Sequence, residues 1–68
     1  MNKTKKLSTN VVATARRAKR LTQFDLARRV GCSESQISKI ETERAMPADW
    51  LKEAIARELG IAVWEVCI

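Results

Sequence analysis

The 68 residues make one small domain at most, because a chain of this length buries only about 60% of the surface that it exposes when unfolded. With 46% apolar and 31% charged residues, the composition is typical of a folded globular domain and excludes a disordered segment. No apolar run approaches the roughly 18 residues of a membrane span, and we expect a cytoplasmic protein that does not bind membranes.

The net charge of +5 is distributed unevenly along the chain. Residues 1–30 carry nine basic side chains and one acid, a balance of +8, whereas residues 31–68 carry four bases and seven acids, a balance of −3. Such polarity can orient a protein on a polyanion, because phosphate contacts release condensed counterions. A solvated basic face remains the simpler alternative, and charge alone does not separate nucleic acid from an anionic membrane or an acidic partner.

The sequence lacks the groups that metal sites and catalytic centres need. It has no histidine, and Cys32 and Cys67 form neither a CxxC pair nor a four-ligand zinc set. It has no nucleophile elbow and no phosphate loop. We therefore expect no metal, no cofactor, no small-molecule ligand and no enzymatic activity. The two thiols are expected to be inert, with a redox or intermolecular disulfide role as the alternative.

The chain begins with a predicted basic, flexible arm over residues 1–7, followed by one domain over residues 8–68. The lysines of the arm either solubilise the protein or contact a nucleic acid; they are Lys3, Lys5 and Lys6. Good N-cap residues at Ser8, Thr9 and Asn10 predict a first helix that runs to about Lys19 or Arg20.

Two helices joined by a very short turn are the strongest signal in the sequence. Thr22, with Asp25 three residues later, predicts the start of a second helix, and Gly31 is well placed to end it in a left-handed conformation. Ser33 and Gln36 then form an S-x-x-Q capping box for a third helix, to about Thr42. Helices joined by so short a glycine-containing turn cross steeply, as in a helix-turn-helix.

The third helix has one apolar and one polar side. Ile37 and Ile40 are predicted to face the core. The other side carries small or hydrogen-bonding residues, namely Glu34, Ser35, Ser38, Lys39 and Thr42. We interpret this side as a DNA-reading surface, against the simpler alternative of an ordinary solvated face.

A fourth helix and a short fifth helix complete the predicted all-α bundle of four to five helices. Pro47 suits the first turn of the fourth helix, and Gly60 ends it. Its predicted apolar stripe consists of Trp50, Leu51, Ala54, Ile55 and Leu59.

The stretch from Leu21 to Glu41, LTQFDLARRVGCSESQISKIE, resembles the Cro/C1-type, or xenobiotic-response-element, helix-turn-helix family. The family pattern is L-T-Q-x-x-L-A-x-x-x-G-h-S-x-x-x-I-S-x-h-E, with h apolar, and the likeness covers roughly residues 11–66. The resemblance implies a compact, lambda-repressor-like bundle. Phage repressors, Cro proteins, antitoxins and restriction-modification controllers use this fold.

The resemblance also implies roles for individual residues. Arg16 and Glu41 match a partly buried salt bridge between the first and third helices, and Gln23 matches a glutamine that contacts phosphate and braces the third helix. The candidate base readers are Glu34, Ser35, Ser38 and Lys39, and the candidate phosphate ligands are Thr22, Gln23, Thr42 and Arg44. Because Glu34 is acidic and the glutamines common in phage repressors are absent, the target sequence cannot be carried over.

Two positions where the family often has glycine are Arg20 and Glu43 here. If they keep a left-handed backbone, each costs roughly 1 kcal/mol. Phe24 occupies a usually exposed position, and we expect it to pack against the first helix or the arm.

Repressors of the family that this sequence resembles dimerise through the C-terminal end of the domain. At this end the sequence predicts an exposed apolar patch that consists of Trp64, Cys67 and Ile68. Val63 and Val66 are predicted to fill core positions. We therefore expect a homodimer that binds a palindromic operator in double-stranded DNA as a transcriptional repressor, in a bacterial or phage-infected cell. An antitoxin or restriction-modification controller is the alternative within DNA binding. A protein–protein adaptor that uses Trp50, Trp64 and the apolar tail is the alternative of a different class.

Overall fold

The computed structural model describes residues 10–66, which fold into five helices without a strand. The helices are α1 (Val11–Ala18), α2 (Gln23–Val30), α3 (Glu34–Glu41), α4 (Asp49–Leu59) and α5 (Val63–Val66). The predicted all-α bundle of four to five helices is confirmed. The predicted arm over residues 1–7 lies outside the described residues, as do Cys67 and Ile68.

Three of the helices begin with a side-chain cap. Asn10 Oδ1 accepts a hydrogen bond from Ala13 N at 3.0 Å and so starts α1. Thr22 and Asp25 form a complete, reciprocal capping box at the start of α2, with both bonds at 2.9 Å. These caps satisfy backbone N–H groups that have no partner within the helix, so α1 and α2 start where the sequence predicts.

The starts of α3 and α4 differ in detail from the prediction. Ser33 Oγ accepts from Gln36 N at 3.1 Å, but within residues 10–66 the Gln36 side chain makes no return bond, so only half of the predicted box forms. The helix α4 begins at Asp49 behind an Ala48 cap position without a side-chain bond. Pro47 therefore precedes the helix and does not lie in its first turn.

The helices α1 to α4 all end in the same way. A residue in the left-handed conformation follows each helix. The N–H of the residue after it donates to the carbonyl oxygen five positions earlier, as in Leu21 N to Arg16 O at 3.1 Å and Arg44 N to Lys39 O at 2.8 Å. Glycine fills the left-handed position after α2 and α4, with φ of 86° at Gly31 and 71° at Gly60.

After α1 and α3 the left-handed residues are Arg20, with φ of 60°, and Glu43, with φ of 62°. The turns thus keep the geometry that glycine favours although the glycines are absent. Each non-glycine residue there carries a strain of about 1 kcal/mol relative to glycine.

A single apolar core lies between the helices. Its largest fully buried side chains come from all five helices and are Val12, Leu26, Ile37, Ile40, Ile55 and Val66. The predicted core positions Ile37 and Ile40 of α3 and Leu51, Ile55 and Leu59 of α4 are buried. No helix within residues 10–66 is long and apolar enough to cross a membrane.

Three apolar residues with predicted packing roles are exposed. Trp50 is 58% exposed and Val63 44% exposed, so Trp50 does not belong to the buried stripe of α4 and Val63 does not fill a core position. Trp50 precedes the buried Leu51, and one helical step of about 100° turns it away from the core. Phe24 is 52% exposed, with the Arg28 guanidinium 5.8 Å from its ring centre, and the arm, one of its two predicted packing partners, lies outside the described residues.

Candidate nucleic-acid interface

The connection between α2 and α3 consists of Gly31, Cys32 and Ser33 only. Left-handed Gly31 reverses the chain, and Cys32 N bonds back to Ala27 O at 3.0 Å. Ser33 then starts α3, so the predicted pair of helices with a short turn is present. The Cys32 side chain is half-buried against the core, and burial raises the pKa of its thiol, which favours the unreactive protonated form.

The helix α3 has a buried side and an exposed polar side. Ile37 and Ile40 are almost completely buried and fix the helix against the core. Of the candidate base readers, Glu34, Ser35 and Lys39 are exposed, and Ser38 is half-buried. This exposed side therefore combines a carboxylate, hydroxyls and an ammonium group, all of which can form hydrogen bonds with base edges in a major groove.

The C-terminal end of α3 is held by a buried ion pair. Arg16 donates from Nε to Glu41 Oε2 at 2.6 Å and from Nη2 to Glu41 Oε1 at 3.1 Å, and both side chains are over 90% buried. Arg16 and Glu41 thus form the ion pair that the resemblance implies. Its two parallel hydrogen bonds fix the orientation of one side chain relative to the other.

Two further hydrogen bonds engage other polar groups of this buried ion pair. Gln23 Nε2 donates to Glu41 Oε1 at 2.9 Å, and Arg16 Nη1 donates to Leu21 O at 2.7 Å. Arg16 therefore links α1, the turn before α2, and the end of α3. Gln23 braces α3 from the start of α2, and only its remaining donor is available to a phosphate.

Asn10 makes a second link between α1 and α3, which the sequence did not predict. It is buried, and besides capping α1 its Nδ2 donates to Ile40 O at 3.5 Å. The cap propensity of Asn10 is visible in the sequence, but no local signal identifies a partner thirty positions away. The Arg16–Glu41 ion pair is therefore the main polar tie between α1 and the end of α3, and the long Asn10 contact adds to it.

The candidate phosphate ligands differ in whether their side chains already form hydrogen bonds within the protein. Thr22 and Arg44 are exposed, and the Arg44 guanidinium makes no hydrogen bond or ion pair within residues 10–66. Thr42 is exposed, but its hydroxyl donates to carbonyls of its own helix, at 3.0 Å to Ser38 O and 3.3 Å to Lys39 O. A phosphate contact by Thr42 therefore requires the hydroxyl to rotate away from the helix.

The basic side chains at the end of α2 are engaged within the protein. Arg29 pairs with Glu58 at 2.9 Å on the surface, and Arg28 lies over the Phe24 ring. At the other end of this helix, hydrogen bonding to the Thr22 backbone and side chain holds the pKa of Asp25 below its usual value. Arg28 and Arg29 thus each have a partner within the described residues, although both remain exposed.

The predicted dimer patch is only partly within the described residues. Trp64 is 72% exposed, as predicted for a tryptophan on the outside of the domain. Its neighbour Val63 adds further exposed apolar surface, whereas Val66 is buried. The other two predicted interface residues, Cys67 and Ile68, lie outside the described residues.

No group of three or more acidic, cysteine or histidine side chains that could hold a metal ion occurs within residues 10–66. A family model described as a helix-turn-helix domain matches residues 10–63, which include α1 to α4 and the start of α5. Comparison with curated proteins and with solved structures gives no match. The match covers most of the 68-residue chain, and the chain therefore belongs to the helix-turn-helix domain family.

Proposed function

We propose that this protein is a sequence-specific transcriptional regulator of the Cro or phage-repressor type that binds a palindromic operator as a homodimer. In this proposal α3 enters the major groove and Glu34, Ser35, Ser38 and Lys39 meet base edges. Bound protein prevents transcription by occluding the polymerase. The site of action is the cytoplasm of a bacterial or phage-infected cell, and the protein is not an enzyme.

The observation that carries the proposal is the construction of α3. Its polar side is exposed, while its apolar side is fixed in the core by Ile37 and Ile40 and its end is clamped through Glu41. A surface helix that only needs solubility does not require such rigid support. Base readout does, because hydrogen bonds to base edges tolerate little displacement of the side chains that make them.

Lys39 and Glu34 are the readers with the clearest chemical preferences. Lys39 suits guanine O6 and N7, or a phosphate, and both remain open. Glu34 carries a negative charge toward a polyanion, so we assign it to the N4 amino group of cytosine or to the orientation of a neighbouring reader. An operator containing G·C pairs at these positions fits both residues.

The dimer part of the proposal rests on the exposed Trp64. A tryptophan with 72% of its surface exposed, next to the exposed Val63, is a strong candidate for a contact with a second protein surface. A twofold dimer places two copies of α3 in successive major grooves about 34 Å apart. The same exposed aromatic surface, with Trp50, is what supports the adaptor alternative.

A DNA titration at several salt concentrations tests the proposal. Site selection from random duplexes first provides the preferred sequence, and the affinity for it is then compared with that for a scrambled duplex of equal length. We expect tighter binding to the selected site and an affinity that falls steeply as salt rises. The salt slope is the fall in the logarithm of the binding constant per unit rise in the logarithm of the salt concentration, and each phosphate contact contributes about 0.9 to it.

A palindromic selected site supports the dimer, and an asymmetric half-site contradicts it. Absence of salt-dependent DNA binding contradicts the regulator and favours the adaptor. Antitoxin and restriction-modification controller roles share the same DNA-binding mode, and the genes next to the selected sites distinguish them from a phage-type repressor.

A further inference from the structure

The turn after α1 has an arginine, Arg20, in a left-handed position where the fold favours glycine. Arg20 has φ of 60°, and the equivalent positions after α2 and α4 are Gly31 and Gly60. A side chain in the left-handed region brings Cβ too close to the following carbonyl oxygen, which glycine avoids. The arginine at this position therefore opposes the stability of the turn that contains it.

The Arg20 side chain makes no compensating hydrogen bond or ion pair within the part of the chain that the structure describes. It is exposed, and its guanidinium takes part in none of the hydrogen bonds or ion pairs between residues 10 and 66. Arg16 and Arg29, by contrast, both bind glutamates. The positive charge of Arg20 is thus available to an anion outside the protein.

The backbone next to Arg20 is locked to α3. Leu21 N donates to Arg16 O at 3.1 Å, and Arg16 Nη1 donates back to Leu21 O at 2.7 Å. The same Arg16 side chain binds Glu41, the last residue of α3. The turn cannot move relative to α3 without breaking these contacts, so the location of α3 also determines that of the Arg20 backbone.

We propose that Arg20 binds a backbone phosphate of the duplex that α3 reads, an inference that rests on the proposed DNA-binding function. A guanidinium matches the geometry of a phosphate through two parallel hydrogen bonds. Because phosphates carry no sequence information, Arg20 positions the protein on the duplex and does not select bases. Only the side chain itself has to be ordered on binding, since its backbone is already fixed.

The chain offers a matched control at Glu43, which is exposed and has nearly the same backbone conformation but the opposite charge. The experiment compares the wild type, Arg20→Gly, Arg20→Lys and Glu43→Gly. For each protein, thermal unfolding gives the Tm, and titration of the selected and scrambled duplexes over a salt series gives the Kd and the salt slope.

We expect Arg20→Gly to raise the Tm, by on the order of 4–8 °C, because the backbone strain is relieved. The same variant binds both duplexes more weakly, about tenfold at low salt, and its salt slope is smaller by about 0.9 for each phosphate that Arg20 neutralises in the wild type. Arg20→Lys keeps the wild-type slope. Glu43→Gly gains stability in the same way without losing affinity, because it removes no cation.

The outcomes separate this inference from the function on which it rests. Wild-type protein without salt-dependent DNA binding contradicts both. A wild type that binds DNA, together with an Arg20→Gly variant of unchanged affinity and slope, contradicts the role of Arg20 alone. A lower Tm for Arg20→Gly contradicts the premise that the arginine opposes the stability of its turn.

Discussion

The two ends of α3 are held by different kinds of contact. Its start depends on neighbours in the chain, namely the left-handed Gly31 and the Ser33 cap on Gln36 N. Its end depends on side chains from elsewhere: Gln23 and Arg16 bind Glu41 across 18 and 25 positions, and Asn10 binds Ile40 O across 30. Local contacts therefore decide where α3 begins, and distant contacts decide how it is oriented in the bundle.

The largest expected effect follows from breaking the distant contacts. Arg16→Ala leaves the buried Glu41 carboxylate without its cation, which typically costs about 3–5 kcal/mol. A domain of this size has a free energy of unfolding of roughly 3–10 kcal/mol. We expect the variant to be largely unfolded or to melt far below the wild type in a thermal or urea denaturation followed by circular dichroism.

Two control variants show whether burial of an unpaired charge causes the loss of stability in Arg16→Ala. The double variant Arg16→Met with Glu41→Leu removes both charges and retains similar volume, and it should recover most of the stability that Arg16→Ala loses. Glu58→Gln breaks the exposed pair with Arg29 and should change the free energy of unfolding by less than about 1 kcal/mol. An Arg16→Ala variant as stable as the wild type contradicts the clamp at the end of α3.

A smaller effect follows from breaking the local contacts. Ser33→Ala removes the hydroxyl that accepts from Gln36 N, and loss of such a cap costs about 1 kcal/mol. Ser35→Ala is the matched control, because Ser35 is exposed and lies within the first turn without a capping bond. Urea denaturation should show Ser33→Ala less stable by about 1 kcal/mol and Ser35→Ala within about 0.5 kcal/mol of the wild type. Equal stabilities for the two variants would mean that the cap contributes nothing.

The same division explains how much of the structure was predictable. Helix starts at Thr22 and Ser33 and helix ends at Gly31 and Gly60 follow from side chains that act on their own neighbourhood, and these predictions are confirmed. Ile37 and Ile40 were identified because helical periodicity places them on one side. The prediction for Pro47 was wrong by two positions, because its favourable backbone angle is as compatible with the extended segment before α4 as with its first turn.

The site was less predictable than the fold. The pairing of Arg16 with Glu41 came only from the resemblance to a family, and the Asn10 contact with Ile40 was not predicted at all. Trp50 was predicted to belong to the apolar stripe of the fourth helix, but it lies one helical step from the buried Leu51 and is exposed. Contacts across many positions depend on the packing of whole helices, and a single sequence contains no local record of them.

The central claim is that the exposed side of α3 reads bases, and site selection with Ser35→Ala tests it most directly. The exposed hydroxyl caps nothing, so its removal should leave stability and the salt slope of DNA binding unchanged. We predict that the selected site loses or changes its preference at one base pair in each half-site, with a cost of about 0.5–1.5 kcal/mol for the original sequence. If both Ser35→Ala and Lys39→Ala select the same bases as the wild type at every position, α3 is not the recognition helix.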